Sequence, residues 1–483
     1  MGPWDELSLL YFSPVLPNKV PSMLNNDHYK KYISYYLILL FLFFHISYLN
    51  TPFVNLEWVY RQGSDYFITG DKFLLDQYFY RQANPLTYSY LVSLLVWLFE
   101  LDQFAIYRLP ALFGGTLLLL LLAKYRNPWL VLVVALNPLI WTYSGRAYSE
   151  LLAVGLMFLA YEIQRQQTIG GVIAVFSGAV KYHTIPVLIL HTSFHWLLSN
   201  WRNKFSSWND KNFRANLILL AGFITFLILY NELFGVWIAP EQYSEMLLKF
   251  SINNWINNFF GYGFYLSGMF FLTIPTFLNP KDFKQKILIL SLSIILALSH
   301  ENLGEMDFGS LEKLIGSEII LIIKVLGFWN FLLCCKAFWK DEDSRILLLT
   351  ILGYIMILSF TRPSQRYLIF VIPFWAMLIF KHISLSKIIQ LGYLILLIGI
   401  NSIVTLNQIS TAYTAEEVAQ WSLKNNLITD YGVIQPHVGG YKNYKKNSNF
   451  TVISGIPTNS RYLFTSKYVF GGSVHRQYTL IKK

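Results

Sequence analysis

The sequence predicts an all-α membrane protein that crosses the bilayer many times. Hydrophobic residues make up 54% of the chain and charged residues only 13%, about half the charged share of an ordinary soluble domain. Uncharged runs of about 15–22 residues recur along the chain, the length that a spanning helix requires. Two examples are "ISYYLILLFLFFHISYL" (33–49) and "LGYLILLIGINSIVTL" (391–406).

The distribution of basic residues sets the predicted orientation. The formal net charge is +11, but the lysines and arginines are scattered over many short loops, which argues against a nucleic acid as partner. Placing the loops richest in Lys and Arg in the cytoplasm gives about 13 spans, with the N-terminus inside and the C-terminus outside. The predicted spans are 32–50, 105–123, 128–144, 148–163, 169–181, 184–198, 215–237, 259–278, 286–299, 318–338, 346–361, 366–380 and 388–405.

This count depends on the segment 85–99, "PLTYSYLVSLLVWLF". It is short for a span and rich in Tyr and Trp, so we interpret it as a helix lying along the outer surface. The region 51–104 is then a first outer loop with interfacial helices.

Three parts of the chain follow from this topology. Residues 1–31 form a cytoplasmic N-terminal segment, 32–405 the transmembrane domain, and 406–483 a small α/β domain outside the membrane. In that last part a helix is predicted over 414–426, and the strand-like segments "YGVIQ", "FTVIS", "RYLFTSKYVF" and "QYTLIKK" follow it between Gly, Asn and Pro turns.

Charged residues gather at the predicted outer turns. Arg146 and Glu150 are four residues apart, a spacing that would place both on one helix face. Glu57, Arg61 and Asp65 repeat at the same interval in the first outer loop. Two further outer turns carry Lys181, Tyr182, His183, Arg362, Arg366 and Tyr367. Charges at membrane depth are costly and usually functional, so the sequence predicts that these acids and cations meet at one outer surface.

Each of these residues also has a simpler interpretation. Arg146 and Glu150 could form an ordinary interfacial ion pair, Lys181 could extend its amine to the interface, and Asp71 could cap a helix. His191 and His195 in "HTSFH" lack the Glu and the third ligand of a zinc site, so no metal site is predicted. The glycine pair in "LFGGT" predicts close packing of two helices.

Sugar transfer from a lipid phosphate is the chemistry that this set of residues suits. A carboxylate could deprotonate an acceptor hydroxyl, Arg and Lys could neutralise the departing phosphate, and aromatic rings could stack on a sugar. The sequence contains no P-loop and no dinucleotide fingerprint, and a lipid-linked donor needs neither.

The order of motifs resembles the GT-C glycosyltransferases, most closely the protein O-mannosyltransferase and aminoarabinose-transferase group. An acidic outer loop after the first span is followed by "NPLTYSYLVSLLVWLFELDQFAIYRLPALFGG", "NPLIWTYSGRAYSELLAVGLMFLAYE", "IGGVIAVFSGAVKYHTIPVLIL" and, late in the chain, "RYLIFVIPFWAML". The resemblance covers about residues 50–200, is weaker around 360–380 and is architectural elsewhere.

The resemblance implies roles for individual residues. In that group an Asp-Glu pair opens the first outer loop and supplies the catalytic carboxylate, whereas the matching stretch here is "VNLEWVY". The pair is missing, so either Glu57 or Asp65 has taken over its role or the active site is altered. The family's second acid matches Glu150, its lysine near the lipid phosphate matches Lys181, and the late "RY" matches Arg366 and Tyr367.

The resemblance also implies a reaction and a cellular location. It consists of inverting transferases that move a sugar from a polyprenyl- or dolichyl-phosphate to a lipid, glycan or protein acceptor, and some GT-C members use Mg²⁺ or Mn²⁺. The active site would face the periplasm from a bacterial cytoplasmic membrane or, alternatively, the lumen of the endoplasmic reticulum.

Three other functions stay open at this point. A secondary transporter or lipid flippase would place charges near the midplane and show inverted repeats. A lipid-linked oligosaccharide polymerase or ligase would carry a large late outer loop. A non-catalytic assembly protein would account for the missing Asp-Glu pair.

Overall fold

The structure is helical over most of its length. This computed structural model describes the residues 27–53, 57–81, 84–163, 167–202, 211–237, 252–278, 283–300, 317–361, 364–424, 450–454, 462–465 and 477–482.

Eleven α-helices lie in the described residues between 27 and 234. Their bounds are α1 Asp27–Ile46, α2 Glu57–Thr69, α3 Lys72–Arg81, α4 Thr87–Phe99, α5 Phe104–Ala123, α6 Pro128–Ala135, α7 Pro138–Ser144, α8 Ser149–Glu162, α9 Gln167–Val180, α10 Thr184–Arg202 and α11 Lys211–Phe234.

The described residues after 237 add six α-helices and two 3₁₀ helices. The α-helices are α12 Ile252–Gly268, α13 Phe283–Ser299, α14 Ser317–Phe338, α15 Glu342–Leu358, α16 Ile372–His382 and α17 Lys387–Lys424. The 3₁₀ helices are Phe271–Leu278 and Gln365–Phe370.

Four helices in the described part of the chain are long and apolar enough to cross a membrane. They are Phe104–Ala123, Arg214–Phe234, Ser317–Phe338 and Lys387–Leu406. This supports a membrane protein, while the count of about 13 spans and their orientation stay predictions.

Three predicted spans are not single continuous α-helices. The segment 128–144 forms the two short helices α6 and α7, because Asn137 and Pro138 start a new helix in its middle. The Asn137 carboxamide oxygen accepts a hydrogen bond from the Leu139 amide at 3.0 Å, and a residue before proline is disfavoured in the helical conformation. The segments 259–278 and 366–380 likewise combine an α-helix with a 3₁₀ helix.

The described residues of the region 51–104, predicted to be an outer loop, form the three helices α2, α3 and α4. Asp71 caps α3, since its carboxylate accepts the Phe73 amide hydrogen at 2.9 Å, as the sequence indicated. With 13 residues, α4 is about 20 Å long and too short to cross a hydrocarbon core of about 30 Å. Its C-terminal side chains Trp97, Leu98 and Phe99 are exposed.

The glycine pair brings α5 and α8 into direct backbone contact. A Cβ on Gly114 would lie 2.3 Å from the Leu151 carbonyl oxygen, and one on Gly155 would lie 2.4 Å from the Gly114 carbonyl oxygen. The predicted close packing at "LFGGT" is therefore confirmed, and it fixes the position of α8, which carries Glu150.

The C-terminal region contains three short strands, β1 Phe450–Ser454, β2 Tyr462–Thr465 and β3 Gln477–Lys482. They form an antiparallel sheet in the order β1-β3-β2, so three of the four predicted strand segments are strands. The fourth, "YGVIQ", lies outside the described residues. Helix α17 continues through the proposed domain boundary at 406, and an α/β domain stays a prediction.

Candidate functional site

The centre of the site is a buried ion pair between Glu150 and Lys181. Glu150 lies in the first turn of α8, where the helix dipole favours a negative charge. Lys181 directly follows α9, and its Nζ lies 3.0 Å from Glu150 Oε1. Both side chains are fully buried, so their mutual attraction opposes a large cost of removing two charges from water.

Aromatic and cationic groups surround this pair. The rings of His183 and Tyr367 stack with their centroids 4.1 Å apart. Lys181 Nζ lies 5.8 Å from the centre of the Tyr367 ring, and the Arg366 guanidinium lies 5.0 Å from it. Arg366 is also close enough to Glu150 to attract its carboxylate. The 3₁₀ helix 365–370 thus brings the late "RY" to the acid and lysine, as predicted.

Glu150 Oε2 and His183 Nδ1 are buried at this site and have no hydrogen-bond partner within the described part of the chain. The buried Tyr182 hydroxyl also lacks one there, but the Tyr182 ring packs against Phe223 of α11, with centroids 5.9 Å apart. Buried polar atoms are nearly always satisfied in proteins, so Glu150 Oε2 and His183 Nδ1 are available to bind a polar ligand.

Arg146 is not on the helix that carries Glu150. It lies in the bend between α7 and α8, with its guanidinium 6.0 Å from the centre of the Tyr148 ring. The prediction that Arg146 and Glu150 share a helix face is therefore wrong, because α8 begins only at Ser149. Arg146 adjoins the site through the Tyr148 ring, which is two residues before Glu150.

Glu57 forms a second buried ion pair, with Arg108 of α5. Arg108 Nε and Nη2 donate to the two carboxylate oxygens at 2.8 and 3.0 Å. The Ala147 amide also donates to Glu57 Oε1, at 2.8 Å. This places Glu57 next to the bend before α8, a short distance along the chain from Glu150.

Sequence reasoning overlooked Arg108, although a signal was available. It is the only charged residue of α5, and a charge inside an apolar helix requires a partner. Applied to α5, that rule would have predicted the pair with an acid of the first outer loop.

Arg61 and Asp65 lie on α2 with Glu57, as predicted, but they form a separate and more exposed cluster. Arg61 contacts Asp65 at 3.4 Å and Asp102, which the sequence did not single out, at 2.7 Å. The Tyr107 hydroxyl donates to Asp102 at 2.9 Å. Burial raises the pKa of Asp65, while the positive charge of Arg61 opposes that shift.

The remaining predicted residues contribute less. Arg362 lies outside the described residues. His191 packs edge-on against Tyr161 at 5.0 Å, close to the C-terminal end of α8. The described ranges contain no group of three or more His, Cys, Asp or Glu side chains that could hold a metal ion.

The geometry therefore brings together Glu150, Lys181, His183, Arg366 and Tyr367, whereas Arg146 contacts Tyr148 and Tyr182 packs against Phe223. The Glu150 carboxylate, which has one unsatisfied oxygen, can accept a proton, and the cations beside it can stabilise a phosphate. Comparison of the chain with protein-family models, curated proteins and solved structures finds no match to any of them.

Proposed function

We propose that the protein is a membrane glycosyltransferase that moves a sugar from a polyprenyl-phosphate donor to a hydroxyl acceptor. The observation that carries this proposal is the Glu150–Lys181 pair, in which Glu150 Oε2 is buried and lacks a partner among the described residues. An unsatisfied carboxylate oxygen beside fixed cations suits the transfer of an acceptor proton together with departure of a phosphate.

Each residue has a role in the proposed reaction. The acceptor hydroxyl forms a bond to the anomeric carbon, and Glu150 removes its proton. The bond between that carbon and the phosphate oxygen breaks, and the lipid phosphate leaves with its electron pair. Lys181, Arg366 and Arg146 stabilise the negative charge on the departing phosphate.

The aromatic groups fit the same reaction. The His183–Tyr367 stack adjoins the cations and offers an apolar wall. His183 Nδ1, which lacks a partner among the described residues, offers a hydrogen bond to a sugar hydroxyl.

A donor panel tests the proposal directly. The purified protein in nanodiscs would be given polyprenyl-phosphates carrying hexoses, N-acetylhexosamines, pentoses or aminoarabinose, and donor cleavage would be followed with and without an extract of envelope lipids and glycans. We expect one donor to be cleaved, and Glu150→Gln to reduce the rate about 10²–10⁴-fold, the usual contribution of a general base.

Glu162→Gln is the matched control. Glu162 is the last residue of α8, at the end opposite Glu150, and its carboxylate accepts a hydrogen bond from the Tyr125 hydroxyl at 2.6 Å. Failure to bind or cleave any donor would reject the proposal and direct attention to transport of a lipid or solute. Equal cleavage by Glu150→Gln would show that another group removes the proton.

A further inference from the structure

We infer that Glu57 and Arg108 are positioning residues, which hold the bend before α8 and thereby fix Glu150 without touching the substrate. This inference rests on the proposed function, because it assigns Glu150 as the group that the pair positions. It gives Glu57 a role different from that of the family's first-loop carboxylate.

Both carboxylate oxygens of Glu57 are already engaged. Oε1 accepts from Arg108 Nε and from the Ala147 amide, each at 2.8 Å, and Oε2 accepts from Arg108 Nη2 at 3.0 Å. The side chain is fully buried. A general base must reach the proton that it removes, and these three bonds direct both oxygens toward Arg108 and the Ala147 amide instead.

Arg108 also forms hydrogen bonds to the chain that follows α1. Its Nη1 donates to the Leu49 and Thr51 carbonyl oxygens at 2.6 and 2.7 Å, and its Nη2 donates to the Pro52 carbonyl oxygen at 3.1 Å. The guanidinium thus connects α5, the chain at residues 49–52 and Glu57. Such an array has a fixed geometry because the guanidinium is planar.

A second contact holds the other end of the bend. The hydroxyl of Tyr60, one turn along α2 from Glu57, lies 2.8 Å from Ser149 Oγ. The Asn84 carboxamide donates to the same hydroxyl at 3.0 Å. Helix α2 therefore holds the chain at Ala147 and at Ser149, and Glu150 is the next residue.

The contrast between Glu57→Gln and Glu57→Ala tests this role. Gln keeps an oxygen that can accept from Ala147 and Arg108, whereas Ala removes it. We expect kcat to fall less than about 10-fold in Glu57→Gln and about 100-fold in Glu57→Ala, the scale expected when a reacting group is misplaced by about 1 Å. KM should change little, since the pair does not touch the donor.

Two further readouts separate positioning from catalysis. The acidic limb of the pH profile of kcat should persist in Glu57→Gln, because Glu150 still removes the proton. Amide hydrogen exchange of the peptide 144–150 should be faster in Glu57→Ala than in wild type and intermediate in Glu57→Gln. Glu162→Gln is the control for both measurements.

Equal loss of kcat in both variants, with exchange of the peptide 144–150 unchanged, would overturn the inference and make Glu57 the base. Loss of the acidic limb in Glu57→Gln would do the same. If Glu57→Ala does not fold, Glu57→Gln still supplies the pH profile and the exchange rate. If the wild type cleaves no donor, the proposed function fails, and unchanged exchange in Glu57→Gln and Glu57→Ala would separately reject the positioning role.

Discussion

Two buried ion pairs lie on either side of the bend before α8, and they differ in how fully their atoms are bonded. In the Glu57–Arg108 pair, backbone carbonyl oxygens and the Ala147 amide complete the hydrogen bonding around the two charges. In the Glu150–Lys181 pair, one carboxylate oxygen has no partner among the described residues. Both pairs are shielded from solvent to a similar degree.

The difference in hydrogen bonding indicates that the two ion pairs have different roles. A buried charge is tolerated when every polar atom is satisfied, and the first pair meets this condition by linking three segments of the chain. The second pair leaves part of its hydrogen-bonding capacity to be completed by another molecule. Disrupting the first pair should therefore damage folding as well as the placement of Glu150, and disrupting the second should damage mainly activity.

Arg108→Met should have the largest effect on stability. It leaves Glu57 as an uncompensated buried charge, which costs about 3–5 kcal/mol in comparable cases. The thermal unfolding midpoint of the purified protein would measure the loss. Arg61→Met is the control, since Arg61 is partly exposed beside its acids and its loss should cost about 0–1 kcal/mol. Equal shifts in both variants would contradict the structural role of the Glu57–Arg108 pair.

Lys181→Met should have the largest effect on activity relative to its effect on stability. Arg366 remains close to Glu150 and partly replaces the lost positive charge, while donor cleavage should fall about 10²–10³-fold, as when one electrostatic donor is removed. Lys381→Met is the matched control, because Lys381 pairs with Asp341 at 2.7 Å in a half-exposed position. A Lys181→Met enzyme that cleaves donor at the wild-type rate would remove Lys181 from the proposed mechanism.

Gly114→Ala should have an intermediate effect. The new methyl group would overlap the Leu151 carbonyl oxygen and push α8 away from α5, at a cost of about 1–3 kcal/mol for an overpacked contact. Gly399→Ala is the control, because no heavy atom of the described residues outside its own stretch of helix lies within 4 Å of the position that its Cβ would occupy. The thermal unfolding midpoint should be lower for Gly114→Ala than for Gly399→Ala. Identical midpoints would show that α5 and α8 can move apart at little cost.

Asp65→Asn should have the smallest effect, and it should depend on pH. Burial raises the pKa of Asp65 in the folded protein, so the folded state binds this proton more tightly than the unfolded state. The resulting stabilisation is present below about pH 4, the ordinary pKa of Asp, and is lost as pH rises through the raised pKa. Asp65→Asn should remove this fall in the free energy of unfolding with rising pH. A free energy of unfolding that falls more steeply with pH in Asp65→Asn than in wild type would mean that Arg61 dominates and lowers the pKa of Asp65 instead.

Part of the site could be predicted from the sequence. The sequence indicated that Glu150, Lys181, Arg366 and Tyr367 lie together, because each charge interrupts an apolar run at a predicted outer turn. It also indicated the close packing at Gly114. These features depend on local composition and on the high cost of isolated charges in an apolar environment.

Other features could not be predicted from spacing alone. The interval between Arg146 and Glu150 fits one helix face, but the start of α8 at Ser149 places Arg146 in a bend. Asn137 and Pro138 divided a predicted span in two. Helix boundaries depend on capping and on neighbouring segments, which periodicity does not capture.

The sequence by itself determined the helical class, the apolar segments and the set of charges that need partners, because composition and the cost of burying charge act locally along the chain. Only the tertiary structure decided which acid pairs with which cation. Glu57, Arg61 and Asp65 follow one another on α2, yet Glu57 is buried against Arg108, whereas Arg61 bridges Asp65 and Asp102. The physical reason is that the pairings with Asp102 and Arg108 join segments separated by 41 and 51 residues, and packing of the helices sets their distances.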